Sequence, residues 1–395
     1  MRICFIAPFN PVPREGTTQG GHIGGVERYS DCLTQELAGR GLDVTILCTG
    51  ESNEVTQRGR VRIVQRRRAG VFMRTPFGFI LDEAMKDYDL YHVPATYPSY
   101  SELLPLLAKL RGKPSVLDYH FDVPPMGAAV KILAPLYYAF AKHAFATTGA
   151  IILKNHGYEM TSPGLRTLPS DIFRVIPNGV DTDFYAPVAN PTRDYLLFVG
   201  RLVPFKGVAT LLEALALVPA ADRLPLKVAG SGPERANLEA KARALGLDVE
   251  FLGFVTNEQL RDLYANARAT VLPSISHQES FGMTLIESMA CGTPVIASEL
   301  PGTTYVAAYG GNLFARADPK DLARALVETA RGTRDAPRGH ALAAAIRAKY
   351  SWAGVAAQIH ALYLELDAAA RGEPLRRVAV EGPAPPETTS ARVRP

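Results

Sequence analysis

Residues 273–298 read PSISHQESFGMTLIESMACGTPVIAS, and their order of loop, helix, turn and strand decides the fold. Phe281, Leu285, Met289 and Ala290 recur at helical spacing. Glu279 stands just before the helix, and Ser280-Phe281-Gly282-Met283-Thr284 open it. Gly292 and Pro294 stop the helix, and Pro294-Val295-Ile296-Ala297 is a short apolar strand. A helix start leaves backbone N–H groups without intrahelical partners, and a glycine among them lets an anion approach closely. Glu279 and Glu287 are separated by seven residues, too far to act as one carboxylate pair. Glu279 faces the helix mouth, and Glu287, two turns on, can meet only something lying alongside the helix. A nucleotide-sugar has that shape, with sugar and diphosphate at the mouth and ribose further along.

The same alternation runs through the chain. Residues 2–7 form a first strand, followed by a Gly- and Pro-rich loop from Pro8 to Ile23. A helix opens at Gly24-Gly25, with Val26, Tyr29, Leu33 and Leu37 on its apolar face, and closes at Gly39 and Gly41. The strand DVTILCT completes a β-α-β unit, which implies a parallel, doubly wound sheet. The turn FRVIPNGVD reads as a domain boundary. Beyond it strands and helices alternate again, through YLLFVG, RLVPFKG, LKVAGSGP and VEFLGFV, to the opening stretch. A last helix, SWAGVAAQIHALYLELDAAA, follows, and the Pro-rich residues 372–395 read as a disordered tail.

Composition sets broad bounds. The chain has 395 residues, 47% hydrophobic and 21% charged, with net charge +4, enough for two domains of ordinary size. Cys4, Cys32, Cys48 and Cys291 are scattered through apolar patterns, which reads as reduced core thiols in a cytosolic protein. The sequence has neither a signal peptide nor an apolar run of about 18 residues. Residues 57–68, QRGRVRIVQRRR, hold six arginines, with Arg74 beyond. VRIVQ alternates like an edge strand. Two readings stay open for it: a solvated edge that blocks aggregation, or a patch meeting an anionic membrane or lipid-pyrophosphate across Arg58–Arg74. Val71, Phe72, Met73, Pro76, Phe77 and Phe79 supply apolar contact beside it. No nucleic-acid-binding motif accompanies the charge.

IPNGVD, GR…FKG, GSGP and above all Glu279-Ser280-Phe281-Gly282…Glu287 together resemble the family 4 retaining glycosyltransferases, from Met1 to about Ala370. The resemblance implies an α/β protein of the GT-B fold, two Rossmann-like doubly wound domains facing across a cleft. Residues 1–180 would handle the acceptor, residues 181–350 would bind a UDP- or GDP-linked sugar, and the helix 351–370 would pack back on the first domain, with 371–395 as tail. The acceptor would be lipid-linked or a glycan, and the protein cytoplasmic or peripheral on the inner face of the cell membrane. No metal or other cofactor is expected.

The resemblance also assigns residues. Arg201 and Lys206, in a strand-end loop, would grip the diphosphate and stabilise it as it leaves. Glu287 would accept from the ribose hydroxyls and Glu279 from those of the sugar, with the amides of Phe281, Gly282 and Met283 beside them. The Phe281 ring reads as core. Gly24 and Gly25 would bring backbone close to the donor phosphate. His120, in VLDYHFD, would stand near the sugar's 6-hydroxyl and the acceptor, with His22 and His92 as rivals. Gly230, Phe254 and Val255 border the base. A sugar-nucleotide epimerase and an idle nucleotide-sugar-binding scaffold are the alternatives.

Overall fold

A computed structural model describes residues 1–9, 25–72, 75–78, 80–95, 100–120, 128–155, 157–276, 279, 281–333 and 337–373. Gly24, Ser280, His22, Met73, Arg74, Phe79 and residues 374–395, with most of the expected tail, lie outside the described residues. The described residues divide into two units, Met1–Gly179 with the helix that begins at Trp352, and Val180–Ser351.

The first unit is built on β1 (Arg2–Phe9), β2 (Asp43–Gly50), β3 (Glu54–Arg58), β4 (Val61–Phe72), β5 (Thr75–Gly78), β6 (Leu90–Ala95), β7 (Ser115–Tyr119), β8 (Ala150–Leu153) and β9 (Phe173–Val175). Its main order is β3-β4-β2-β1-β6-β7-β8-β9, parallel except for β3 on β4, while β5 pairs antiparallel with β4. The sheet turns back on itself between β1 and β6, so the loops after those strands open at its switch point. The first helix, Gly25–Gly39, packs Tyr29, Leu33 and Leu37 on one face of the sheet, as their spacing predicts.

One expectation is corrected here. The arginine-rich strand is not an edge: β4 lies between β2, with which it pairs parallel, and β3. The short antiparallel β3 takes the edge, because the turn Gly59–Arg60 lets the chain fold straight back on itself. Val61, Ile63 and Val64 are accordingly buried, and Arg62 and Arg66 reach Glu83 at 2.7 and 3.3 Å.

The second unit holds β10 (Leu196–Val199), β11 (Leu226–Ala229), β12 (Val249–Gly253), β13 (Ala269–Leu272), β14 (Val295–Ser298) and β15 (Gly311–Phe314). They run parallel in the order β12-β11-β10-β13-β14-β15, with the switch point between β10 and β13. Apart from the half-buried edge strand β12, these strands are four residues long and largely buried, as strands covered on both faces must be.

The last helix, Trp352–Ala370, follows the second unit in sequence yet belongs to the core of the first. Trp352, Val355, Ile359, Leu362, Tyr363 and Leu366 are buried among Phe5, Tyr29, Leu33, Val116 and Ile152. At the point of entry a Cβ on Gly179 would lie 2.4 Å from the Trp352 indole, so only glycine leaves room for the ring. Ile359→Ala should therefore lower the unfolding free energy by about 2–5 kcal/mol in urea titrations, whereas Leu364→Ala, 52% exposed on the same helix, should change it by under about 0.5 kcal/mol.

Candidate functional site

In the second unit the carboxyl ends of four adjacent strands mesh through backbone. Gly200 N–H, after β10, donates to Ala229 O at 3.0 Å; Gly230 N–H, after β11, donates to Gly253 O at 2.7 Å; Leu202 N–H reaches Ser231 O at 2.8 Å. Gly230 holds φ 144°, and a Cβ there would fall 1.9 Å from Gly200 O. Gly207, with φ 70°, stands in the same relation to Pro273 O at 1.9 Å. Both approaches exclude any side chain.

These contacts bring the Arg201–Lys206 loop beside the loop that follows β13. Ile275 N–H donates to Phe205 O at 2.8 Å, and Lys206 Nζ lies 2.6 Å from Glu279 Oε2, which also accepts from Ser274 Oγ at 2.9 Å. Two residues read separately from sequence are thus an ion pair, both largely screened from solvent. Arg201 is exposed and forms no ion pair among the described residues.

The helix that follows is Met283–Ala290, starting later than the sequence spacing predicts. Gly282 takes φ 76° and ψ 57°, a left-handed conformation that cannot continue a helix, and so it becomes the N-cap. Phe281's ring is buried against Tyr350 at 6.0 Å between centroids, which leaves its backbone as the part that can meet a ligand. Met283 and Thr284 are half-buried in the first turn. Glu287 is 6% exposed and accepts from Tyr264 Oη at 2.9 Å. Burial, and then the Glu287 carboxylate, push the Tyr264 hydroxyl well above its ordinary pKa, so it stays a donor. Phe254, 71% exposed, and the half-buried Val255 follow β12. Tyr264 was not legible as a site residue, since its aromatic ring reads as core.

In the first unit Gly25 begins the first helix, and His120 caps β7, its N–H donating to Ala95 O at 2.9 Å. Beneath His120 lies a buried polar cluster centred on Asp118. Lys154 Nζ is 2.7 and 2.9 Å from the two Asp118 oxygens; His92 Nε2 is 3.5 Å and His120 Nε2 3.8 Å away; Tyr29 Oη donates to Asp118 Oδ2. His92 Nδ1 meets Tyr363 Oη at 2.6 Å and its ring stacks on Phe5 at 4.5 Å. Burial would raise Asp118's pKa, but Lys154, His120 and His92 outweigh it and hold the carboxyl far below the usual range. Burial pushes His120 down to about 4, against the pull of Asp118. Burial likewise lowers His92 and Lys154, with Asp118 opposing in each case. Asp118 shares the LDYH stretch with His120, and Lys154 is a charge directly after an apolar strand; those signals were present, but their meeting was not readable.

Among the described residues no three or more His, Cys, Asp or Glu are grouped to hold a metal. Among the described residues no helix is long and apolar enough to cross a membrane.

A family profile described as Glycosyltransferase Family 4 matches residues 23–184, and one described as Glycosyl transferases group 1 matches residues 180–336. The D-rhamnosyltransferase WbpZ of Pseudomonas aeruginosa is 34% identical over 231 residues, 56% of this chain and 57% of that protein. The O-antigen chain mannosyltransferase C of Escherichia coli is 28% identical over 304 residues, 72% of this chain and 78% of its own length. The match thus spans less than two thirds of the first of these relatives. Sucrose-phosphate synthase from Thermosynechococcus elongatus superposes with a TM-score of 0.70 at 24% identity, covering 93% of this chain and 99% of its own. Anabaena HepE, solved with UDP-glucose, gives a TM-score of 0.67 at 17% identity, covering 91% and 98%. Both likenesses establish the fold.

Gly230→Ala should separate the two strand-end loops. We expect about 1–3 kcal/mol of destabilisation by urea unfolding, against no change in a surface Ala control.

Proposed function

Because the chain belongs to the group 1, family 4 glycosyltransferases of the GT-B fold, we propose that it transfers a hexose from a UDP- or GDP-linked sugar to an acceptor hydroxyl with retained anomeric configuration. The observation that carries this reading is the meeting of Lys206, Glu279 and the Gly282 helix start at the switch point of the second sheet. Open α/β sheets bind ligands at that point, and a helix start beside two cations suits a diphosphate.

The ion pair has a direct use. A diphosphate offers Lys206 more negative charge than Glu279 does, so donor binding draws the ammonium to the phosphates and releases the carboxylate for the sugar hydroxyls. Arg201, exposed in the same loop, joins Lys206 on the diphosphate. Glu287, fixed by Tyr264, accepts from the ribose hydroxyls. Gly230, Phe254 and Val255 border the base. The resemblance further assigns His120 to the sugar's 6-hydroxyl and Gly25 to the donor phosphate.

In the reaction the bond from the anomeric carbon to the phosphate oxygen breaks as the acceptor oxygen bonds on the same face. The acceptor's proton passes to the leaving phosphate oxygen. Arg201, Lys206 and the helix-start amides stabilise the diphosphate as its charge grows, the two side chains as cations and the amides as hydrogen-bond donors. The named relatives act in rhamnosyl and mannosyl transfer and one in O-antigen synthesis, which supports a lipid-linked or glycan acceptor in cell-surface assembly.

Lys206→Ala and Glu287→Ala should each lower product formation by about 10²-fold or more in a donor-by-acceptor screen read by mass spectrometry. Folded variants that transfer at the wild-type rate would refute the site. Donor binding with no product across the panel would mark a binding scaffold, and donor conversion without acceptor would mark an epimerase.

The basic strand supports peripheral membrane contact on narrower grounds. Arg58 pairs with Asp31 and Arg66 with Asp82, so Arg60, Arg67 and Arg68 are its exposed cations without a described acidic partner. Co-sedimentation should show binding to vesicles containing anionic lipid, lost in the triple Arg60→Ala, Arg67→Ala, Arg68→Ala variant and in high salt.

A further inference from the structure

The buried cluster under His120 holds an ion pair that stability alone does not require. A pair such as Asp118–Lys154 loses both hydration shells on burial, and well-packed apolar side chains of the same volume often serve stability as well or better. What the pair does to its neighbours is more specific. Asp118 carries the one negative charge of the cluster and has two imidazoles within 4 Å, His92 at 3.5 Å and His120 at 3.8 Å. In a water-poor interior an unbalanced carboxylate would draw a proton onto one of them. Lys154 supplies the balancing charge at 2.7 Å instead.

The surroundings of His120 leave Lys154 as the decisive cation. Asp118 faces it from its own strand, His92 from β6 and Lys154 from the end of β8. Tyr29, on the first helix, presents its ring edge-on to His120 at 5.0 Å and 77°. Tyr363, on the last helix, reaches the cluster through His92 Nδ1. The Lys154 ammonium also sits over the Tyr29 ring, 4.2 Å from its centroid. One side chain thus sets both the charge beneath His120 and the ring against which it packs. His120 Nε2 is buried 3.8 Å from Asp118 Oδ1 and makes no hydrogen bond among the described residues, so its protonation is left to the charges around it.

We propose that Lys154, acting through Asp118, is a positioning residue that keeps the His120 imidazole uncharged. The value of that neutrality for sugar contact rests on the function proposed above. A neutral imidazole can accept from or donate to a hydroxyl according to its tautomer, whereas an imidazolium can only donate.

The test is histidine titration by NMR on the full-length chain with isotope-labelled histidine, with His120→Gln used for assignment. Wild-type His120 should titrate at about 4. Lys154→Met leaves Asp118 unbalanced and should raise the His120 midpoint by about one pH unit or more. The isosteric double variant Asp118→Asn, Lys154→Met removes both charges and should return the midpoint toward the wild-type value; Lys154→Arg should hold it there. If Lys154→Met does not fold, Lys154→Gln, which keeps a hydrogen-bond donor to Asp118, carries the same expectation. A folded single variant with an unmoved midpoint, or a double variant that fails to restore it, overturns the proposal. The acid limb of sugar transfer, measured on the same proteins, is read separately. If the midpoints move as stated while that limb stays put, the charge control stands and the sugar contact assigned to His120 falls.

Discussion

Both sheets are bound by one directional constraint. Apart from the short β3 and β5, all strands within a unit run the same way, so every loop that follows a parallel strand emerges at the same edge. In the second unit that edge is crowded. Gly230 passes against the carbonyl of Gly200, and Gly207 against that of Pro273, at distances that would bury a Cβ inside the carbonyl oxygen. The crowding makes the loops a rigid frame rather than independent tethers. Arg201, Lys206 and Glu279 are placed by that frame, and Glu287 by the helix it launches.

The two units treat charge differently. At the second unit's strand ends the Lys206–Glu279 pair is partly open to solvent, so its partners can be exchanged for a ligand's. In the first unit the Asp118–Lys154 pair is fully enclosed by side chains from the first helix, β6, β7, β8 and the last helix. A pair that deep has no aqueous competitor, and its effect is to fix the protonation of what surrounds it. The glutamates and cations of the second unit suit recognition of a charged donor, while the buried carboxylate of the first unit suits control of a single imidazole.

Much of this could be read from sequence because it is local. Helical spacing of Tyr29, Leu33 and Leu37, and of Val355, Ile359, Leu362 and Leu366, reports which face is buried without reference to any other element. The glycine punctuation at Gly207, Gly230 and Gly282 marks left-handed or crowded backbone that other residues resist. The arginine-rich strand was misjudged for the opposite reason. Alternation in VRIVQ shows that one face is polar, but whether a strand has one neighbour or two depends on where the next segment, here β3, folds back.

The sequence by itself determined that two parallel α/β units lie in the chain, that Arg201 and Lys206 share a strand-end loop, and that Glu279 and Glu287 flank a helix start. Each is a property of one segment or of two adjacent ones. Tertiary structure decided that Lys206 pairs with Glu279, 73 positions away, that Glu287 is held by Tyr264, and that Asp118 gathers Tyr29, His92, Lys154 and, through His92, Tyr363. Periodicity reports the direction in which a side chain leaves its own element. Which side chains then meet is set by the order of strands in the sheet and the helices laid over it, and no single segment carries that information.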